Sequence, residues 1–175
     1  MNKRQLLLGG AGLAAAGLGA WLARRHETAP AALSEAAQAF WQTRFDRPEG
    51  GELLAASLRG RPLLLNFWAP WCAPCVRELP EIQQFLAQHA SQGWQVAALA
   101  VDQADAVREF LKKLPLNFPI GLAGTAGLDL TRRLGNSQGG LPFSVAFDAQ
   151  GEIVWRKLGA TSLAELSSMA GKKPI

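Results

Sequence analysis

The chain has 175 residues, with 18 Lys and Arg against 14 Asp and Glu and only two cysteines. Four of the basic residues, Lys3, Arg4, Arg24 and Arg25, lie in the first 25 positions and every acidic residue lies beyond them, so the remainder is electrically balanced. That balance excludes a polyanion-binding face, and with it a nucleic-acid partner, while the length suffices for a core without disulfide or metal staples.

Residues 1–26 read as a signal anchor or signal peptide. Asn2-Lys3-Arg4 precedes an uncharged run of 18 residues, Leu6 to Ala23, and Arg24-Arg25-His26 comes after it. That length reaches the lower limit for crossing a hydrocarbon core about 30 Å thick, which favours a retained anchor. Cleavage at Gly17-Leu18-Gly19 is the alternative. Lys3-Arg4-Gln5-Leu6-Leu7 also resembles a twin-arginine export signal with Lys in the first position. Glycines 9, 10, 12, 17 and 19 argue against a buried soluble helix, since each costs about 1 kcal/mol there. Anchor, cleaved signal and twin-arginine signal all place the rest of the chain outside the cytoplasm, where disulfides persist. Residues 27–33 form a tether, and residues 34–175 a single domain.

Phe40 to Phe45 reads as a strand ended by the turn formers Asp46-Arg47-Pro48-Glu49-Gly50-Gly51, although an Ala-rich helix from Ser34 competes for the same residues. A brief helical stretch falls near Ala55–Leu58. Pro62–Trp68 is a continuous apolar run, the pattern of a strand buried on both faces. From Ala73 to Ala90, Val76, Leu79, Ile82, Phe85 and Leu86 keep the spacing of an amphipathic helix, with Pro80 expected to kink it. Trp94–Val101 is a second buried strand, and strand, helix and strand in succession predict a parallel pair.

Ala104–Leu114 is a helix with Val107, Phe110, Leu111 and Leu114 on one face. Phe118-Pro119-Ile120 is extended, Ala126–Leu134 a short helix and Gly135–Gly140 a loop. Phe143–Phe147 and Glu152–Leu158 alternate about Asp148-Ala149-Gln150-Gly151 as an antiparallel hairpin. A last helix spans Ser162 to Met169, with Thr161 or Ser162 as its N-cap.

The chemistry centres on Cys72 and Cys75, between the first buried strand and its helix. Free N–H groups and the macrodipole at a helix N-terminus stabilise a thiolate there, and in such motifs a thiol pKa falls to roughly 3.5–7.5. The pair can thus switch between dithiol and disulfide. A zinc site needs two more soft ligands, which the chain lacks: His26 falls in the leader and His89 near a helix end. Haem attachment needs His after the second Cys, and position 76 is Val. No metal or other cofactor is implied. Trp68 reads as core, Trp71 beside the first Cys as docking surface, and Asp102 with Asp105 as a loop and helix-start pair.

Phe67-Trp68-Ala69-Pro70-Trp71-Cys72-Ala73-Pro74-Cys75, followed by Glu78-Leu79-Pro80 and later by Gly140-Leu141-Pro142-Phe143-Ser144, resembles the thioredoxin fold. Within it the chain resembles the TlpA/ResA-like extracytoplasmic thiol-disulfide oxidoreductases, over about Phe40 to Ala170. The resemblance implies an α/β domain, a central mixed sheet flanked by helices, behind the N-terminal apolar anchor helix. It implies a cis Pro142 against the cysteine pair, with Leu141 free to pair with an extended partner segment and with Trp71 and Pro74 completing the docking surface. Cytoplasmic thioredoxins carry an Asp in the strand before the motif; here that position is Asn66, which cannot ionise. The family uses a Glu where this chain has Glu78, three residues after Cys75, and half-burial there would raise its pKa enough to exchange a proton with Cys75.

The function so implied is reduction of partner-protein disulfides, as in cytochrome c or oxidase assembly. Cys72 attacks, Cys75 resolves, and an upstream membrane thiol donor resets the pair. The rivals are an oxidant that donates its disulfide, a tethered binding module without turnover, and a copper carrier. The carrier would lack a nearby His or Met, since Met1 lies in the leader and Met169 near the C-terminus.

Overall fold

The computed structural model describes residues 32–172. The leader, and all of the tether but its end, lie outside these residues. Among the described residues, no helix is long and apolar enough to cross a membrane.

Where the sequence suggested a strand from Phe40 to Phe45, the competing helix prevails: α1 spans Glu35–Trp41, with Ser34 as N-cap. Its Ala37, Phe40 and Trp41 are buried, with Phe40 stacked on Phe147 at 4.8 Å. Packing of that three-and-four-spaced face outweighs the β preference of its aromatics. The strand is displaced to Arg44–Asp46 (β1) and pairs antiparallel with Glu52–Leu54 (β2), which the sequence did not reveal. The turn formers 46–51 therefore join a hairpin.

A 3-10 turn at Ala55–Leu58 leads to β3, Leu63–Trp68, every residue of which is buried. Helix α2 runs from Ala73 to His89 and continues through Pro80; that ring faces solvent. Then come β4 (Gln95–Ala100), α3 (Ala104–Lys113), β5 (Ile120–Leu122) and α4 (Gly127–Arg133), followed by β6 (Phe143–Phe147), β7 (Ile153–Leu158) and α5 (Leu163–Gly171). The piece expected to be extended at 118–120 contributes its last residue to β5.

The sheet has seven strands in the order β2-β1-β5-β4-β3-β6-β7. β3, β4 and β5 are mutually parallel, while β6, β7, β1 and β2 join antiparallel. A mixed sheet flanked by helices is thus the observed architecture. In the β6–β7 turn Gly151 has φ of 93° and a Cβ there would stand 2.8 Å from Trp41 Nε1. Glycine lets that indole donate to the Gly151 carbonyl at 2.7 Å, tying α1 to the hairpin.

Side-chain alternation divides the core in two. Leu64 and Trp68 of β3 face α2, α3 and α5, together with Val96, Ala98 and Ala100 of β4. Leu63, Leu65 and Phe67 face α1 and α4 with Leu99, Phe143, Val145 and Phe147.

Candidate active site

β3 ends by delivering Ala69-Pro70-Trp71 to the start of α2, where Cys72 is the N-cap residue. Its Sγ accepts from the Cys75 N–H at 3.3 Å, and its carbonyl accepts from Val76 N–H at 3.0 Å. Pro74 lies in the first turn, where a missing N–H costs nothing, and is half-buried. Cys72 and Cys75 form a disulfide with S–S 2.00 Å. Cys75 is wholly enclosed and Cys72 is 6% exposed, whereas the adjacent Trp71 is 66% exposed. Cys72 is thus the more accessible sulfur of the pair, and Trp71 stands exposed beside it.

β6 runs antiparallel to β3 with Phe67 opposite Phe143. Pro142 precedes β6, so this register brings it to the sheet end where the cysteine loop begins. The Leu141–Pro142 bond is cis, as the resemblance implied. Pro142 is buried, and the half-buried Leu141 packs against the apolar cluster that contains both cysteines. Among the described residues, neither the N–H nor the C=O of Leu141 bonds another main-chain group.

Glu78 is more deeply placed than half-burial suggested, at 2% exposed. It comes three residues after Cys75 on α2, so the two side chains occupy neighbouring positions of one helix face. Its Oε1 accepts from Asn66 Nδ2 at 2.7 Å. Its Oε2 accepts from the Thr161 N–H at 2.7 Å and from the Thr161 hydroxyl at 3.1 Å. Burial pushes the carboxyl above its ordinary value. The bonds from Thr161 and Asn66, and more weakly the charge of Lys157, hold part of that rise back. Such a group can trade a proton with a thiol nearer neutrality than an ordinary glutamate. In this oxidised state, among the described residues, the carboxyl bonds no cysteine sulfur, which agrees with a disulfide having no proton to give.

Ser144 and Thr161 were not legible as site residues in the sequence. Ser144 stands directly opposite Asn66 in the β3–β6 register and accepts from its Nδ2 at 3.0 Å. A lone hydroxyl inside an apolar strand was the available signal. Thr161 was one of two N-cap candidates. Ser162 takes that role, accepting from the Glu165 N–H, and Thr161 turns to Glu78 instead. No local pattern announces a contact across 83 positions. His89 stays apart from the site: it stacks on Phe85 at 4.7 Å, and its ring nitrogens meet Gln92 and Ser167.

The Redoxin family model matches residues 33–172. The chain is 30% identical to the thiol-disulfide oxidoreductase ResA of Bacillus cereus, over 71% of this chain and 70% of the relative. The chain belongs to the ResA-like, thioredoxin-fold branch of the Redoxin family. Enzymes of this branch are thiol-disulfide oxidoreductases, and the chain carries its Cys72–Cys75 disulfide at a helix N-terminus. Solved structures agree. A secreted Mycobacterium tuberculosis disulfide oxidoreductase homologous to E. coli DsbE superposes with TM-score 0.61 at 27% identity, covering 75% of this chain and 96% of its own. StoA from Bacillus subtilis gives 0.59 at 26% identity, covering 73% and 95%. As a ResA-like oxidoreductase, the chain carries its carboxyl on the same helix as its cysteines, and Asn66 fills the strand position behind it.

Proposed function

We propose that the protein is an extracytoplasmic reductase of partner-protein disulfides, held at a membrane by Leu6–Ala23. The observation that carries the reducing direction is the buried carboxyl of Glu78 behind Cys75. A dithiol is a strong oxidant when its reduced, thiolate form is stabilised. A carboxylate close by works against a thiolate, so Glu78 makes the reduced pair readier to give up its electrons.

In the first half of the reaction the Cys72 thiolate attacks one sulfur of a partner disulfide, forming a Cys72–partner disulfide and releasing the first partner thiolate. Glu78 takes the Cys75 proton, and the Cys75 thiolate attacks Cys72 Sγ and releases the second partner thiolate. Two electrons have passed to the partner, whose two thiolates are protonated by the proton held on Glu78 and by one from solvent, and the Cys72–Cys75 disulfide remains. An upstream membrane dithiol donor then reduces that disulfide, itself becoming a disulfide, and the Cys72/Cys75 dithiol is regained. The free main chain of Leu141 fits an extended partner segment, which pairing by main chain alone would admit with little regard to its sequence.

The compartment rests on the charged flanks of the leader and on a structural neighbour described as secreted. Clients whose thiols must be kept reduced there, as in cytochrome c or oxidase assembly, are the natural class. The test is the equilibrium potential of the Cys72/Cys75 couple against a thiol buffer. A value far below the about −120 mV of the strongest oxidants is expected, and one above about −150 mV overturns the reductase. Protease accessibility in spheroplasts checks the compartment.

A further inference from the structure

Asn66 sits in the middle of a fully buried strand, yet its amide is only partly used. Both bonds of its Nδ2 are spoken for, one to Glu78 Oε1 and one to Ser144 Oγ. Among the described residues, its Oδ1 is buried without any hydrogen-bond partner. An orphaned buried acceptor costs about 1–3 kcal/mol, so it calls for an explanation.

The two oxygens of Glu78 differ in what they can accept. Oε2 faces two donors, the fixed Thr161 N–H and the Thr161 hydroxyl, so a proton there would require that hydroxyl to turn round and accept. Oε1 faces one donor, and that donor belongs to an amide that can turn about its last side-chain torsion. When Glu78 is ionised, Nδ2 donates to Oε1. When Oε1 is protonated, the same orientation sets N–H against O–H. A half-turn replaces Nδ2 by Oδ1, which then accepts both from Glu78 Oε1–H and from the Ser144 hydroxyl, while Nδ2 moves to the buried position that Oδ1 leaves. The orphan acceptor is what the protonated state uses.

We propose that Asn66 is a positioning residue whose amide turns over with the proton on Glu78 Oε1, so that the carboxyl can take the Cys75 proton and later release it. This rests on Glu78 being the proton carrier. The balance is simple: the proton leaves Cys75 Sγ, resides on Oε1 while the Cys75 thiolate attacks Cys72 Sγ, and passes on to solvent or to the departing thiolate. The charged groups about the carboxyl are Lys157 of β7, paired with Glu165 of α5, and Glu81 one turn along α2, whose Oε2 accepts from the Leu163 N–H. None of these touches Asn66 in the hydrogen-bond pattern.

The experiment tracks the reduced protein by NMR as pH is raised, recording the Glu78 carboxyl carbon and the Asn66 side-chain amide together. The Asn66 amide is expected to change environment at the Glu78 midpoint, with its contact to Ser144 altered on the protonated side. In Asn66→Leu, which keeps the volume and removes the amide, the Glu78 midpoint rises by about tenfold in proton affinity, and the pH profile of mixed-disulfide resolution moves with it. An Asn66 amide indifferent to the Glu78 titration overturns the proposal, as does an unmoved pH profile in a folded Asn66→Leu protein. If that variant does not fold, the wild-type titration decides alone. None of these measurements depends on the redox potential, so the amide can fail while the reductase stands, and the reverse.

Discussion

The two faces of the sheet use the same central strands for different ends. Toward α1 and α4, β3 and β6 present Leu63, Leu65, Phe67, Phe143, Val145 and Phe147, all apolar and buried. Toward α2 and α5, the same strands present Asn66 and Ser144 side by side, next to the Leu64–Ala146 pair, with Glu78 lowered onto them from the helix. One face is packed for stability. The other has given up apolar contact for a polar cluster in which, among the described residues, Asn66 Oδ1 is the buried atom left without a partner. A fold can carry a polar cluster in its core when the opposite face is left free to hold the strands.

The largest break in this comparison comes from the sulfurs. Cys72→Ser removes the more accessible sulfur and is expected to abolish turnover with partner disulfides, with no loss of fold beyond the missing disulfide. Cys75→Ser is expected to stop at the mixed disulfide, visible as a partner adduct on non-reducing gels. Adducts formed through Cys75 in a Cys72→Ser protein would reverse the two roles. Next comes the packed face: Phe147→Ala, beneath Phe40 and Trp41, costs about 3–5 kcal/mol in urea unfolding. Because it lies across the sheet from the cysteines, the reactivity of Cys72 per folded molecule should not change. If it does, the faces are less separate than their packing indicates.

Glu78→Gln reaches the polar face. It keeps the shape but ends proton exchange, and resolution of the mixed disulfide is expected to slow by about 10²-fold, within the usual range for general acid–base groups. Attack by Cys72, measured in the Cys75→Ser background, should slow far less. Trp71→Ala is milder still: it removes an exposed ring and should raise the KM for protein partners several-fold while leaving reactivity toward a small disulfide unchanged.

Legibility in the sequence divides along the same line. The apolar face was readable because Leu63-Leu64-Leu65 advertises burial on both sides and Phe143–Phe147 alternates as a strand, although its burial on both faces was not foreseen, and the cysteine motif is local. The helix at Glu35–Trp41 was not, since Phe40, Trp41 and Phe45 suit a strand until Phe147 is known to lie beneath them. The polar face was half legible. Glu78 could be named from its spacing to Cys75 and from family resemblance, but its depth and its bonds to Thr161 depend on α5 arriving from 83 positions away. Long-range contacts of single residues leave no periodic trace.

The smallest expected effect sharpens the comparison most, because it reads the polar face through the stability of the whole. Burial raises the Glu78 carboxyl in the folded protein, so between its unfolded and folded values the unfolded chain has released a proton that the folded one keeps. Stability then falls as pH rises, beginning near the unfolded value and levelling off above the folded one. The slope of this contribution is at most one proton, about 1.4 kcal/mol per pH unit. At pH below the unfolded value the contribution is fully present. Urea unfolding of the oxidised wild type and of Glu78→Gln, at pH 4, 6 and 8, isolates it: the difference between the two should shift in favour of the variant as pH rises and then stay constant. A difference independent of pH would mean that Thr161 and Asn66 hold the carboxylate as well as water does, and the polar face would then contribute no proton of its own.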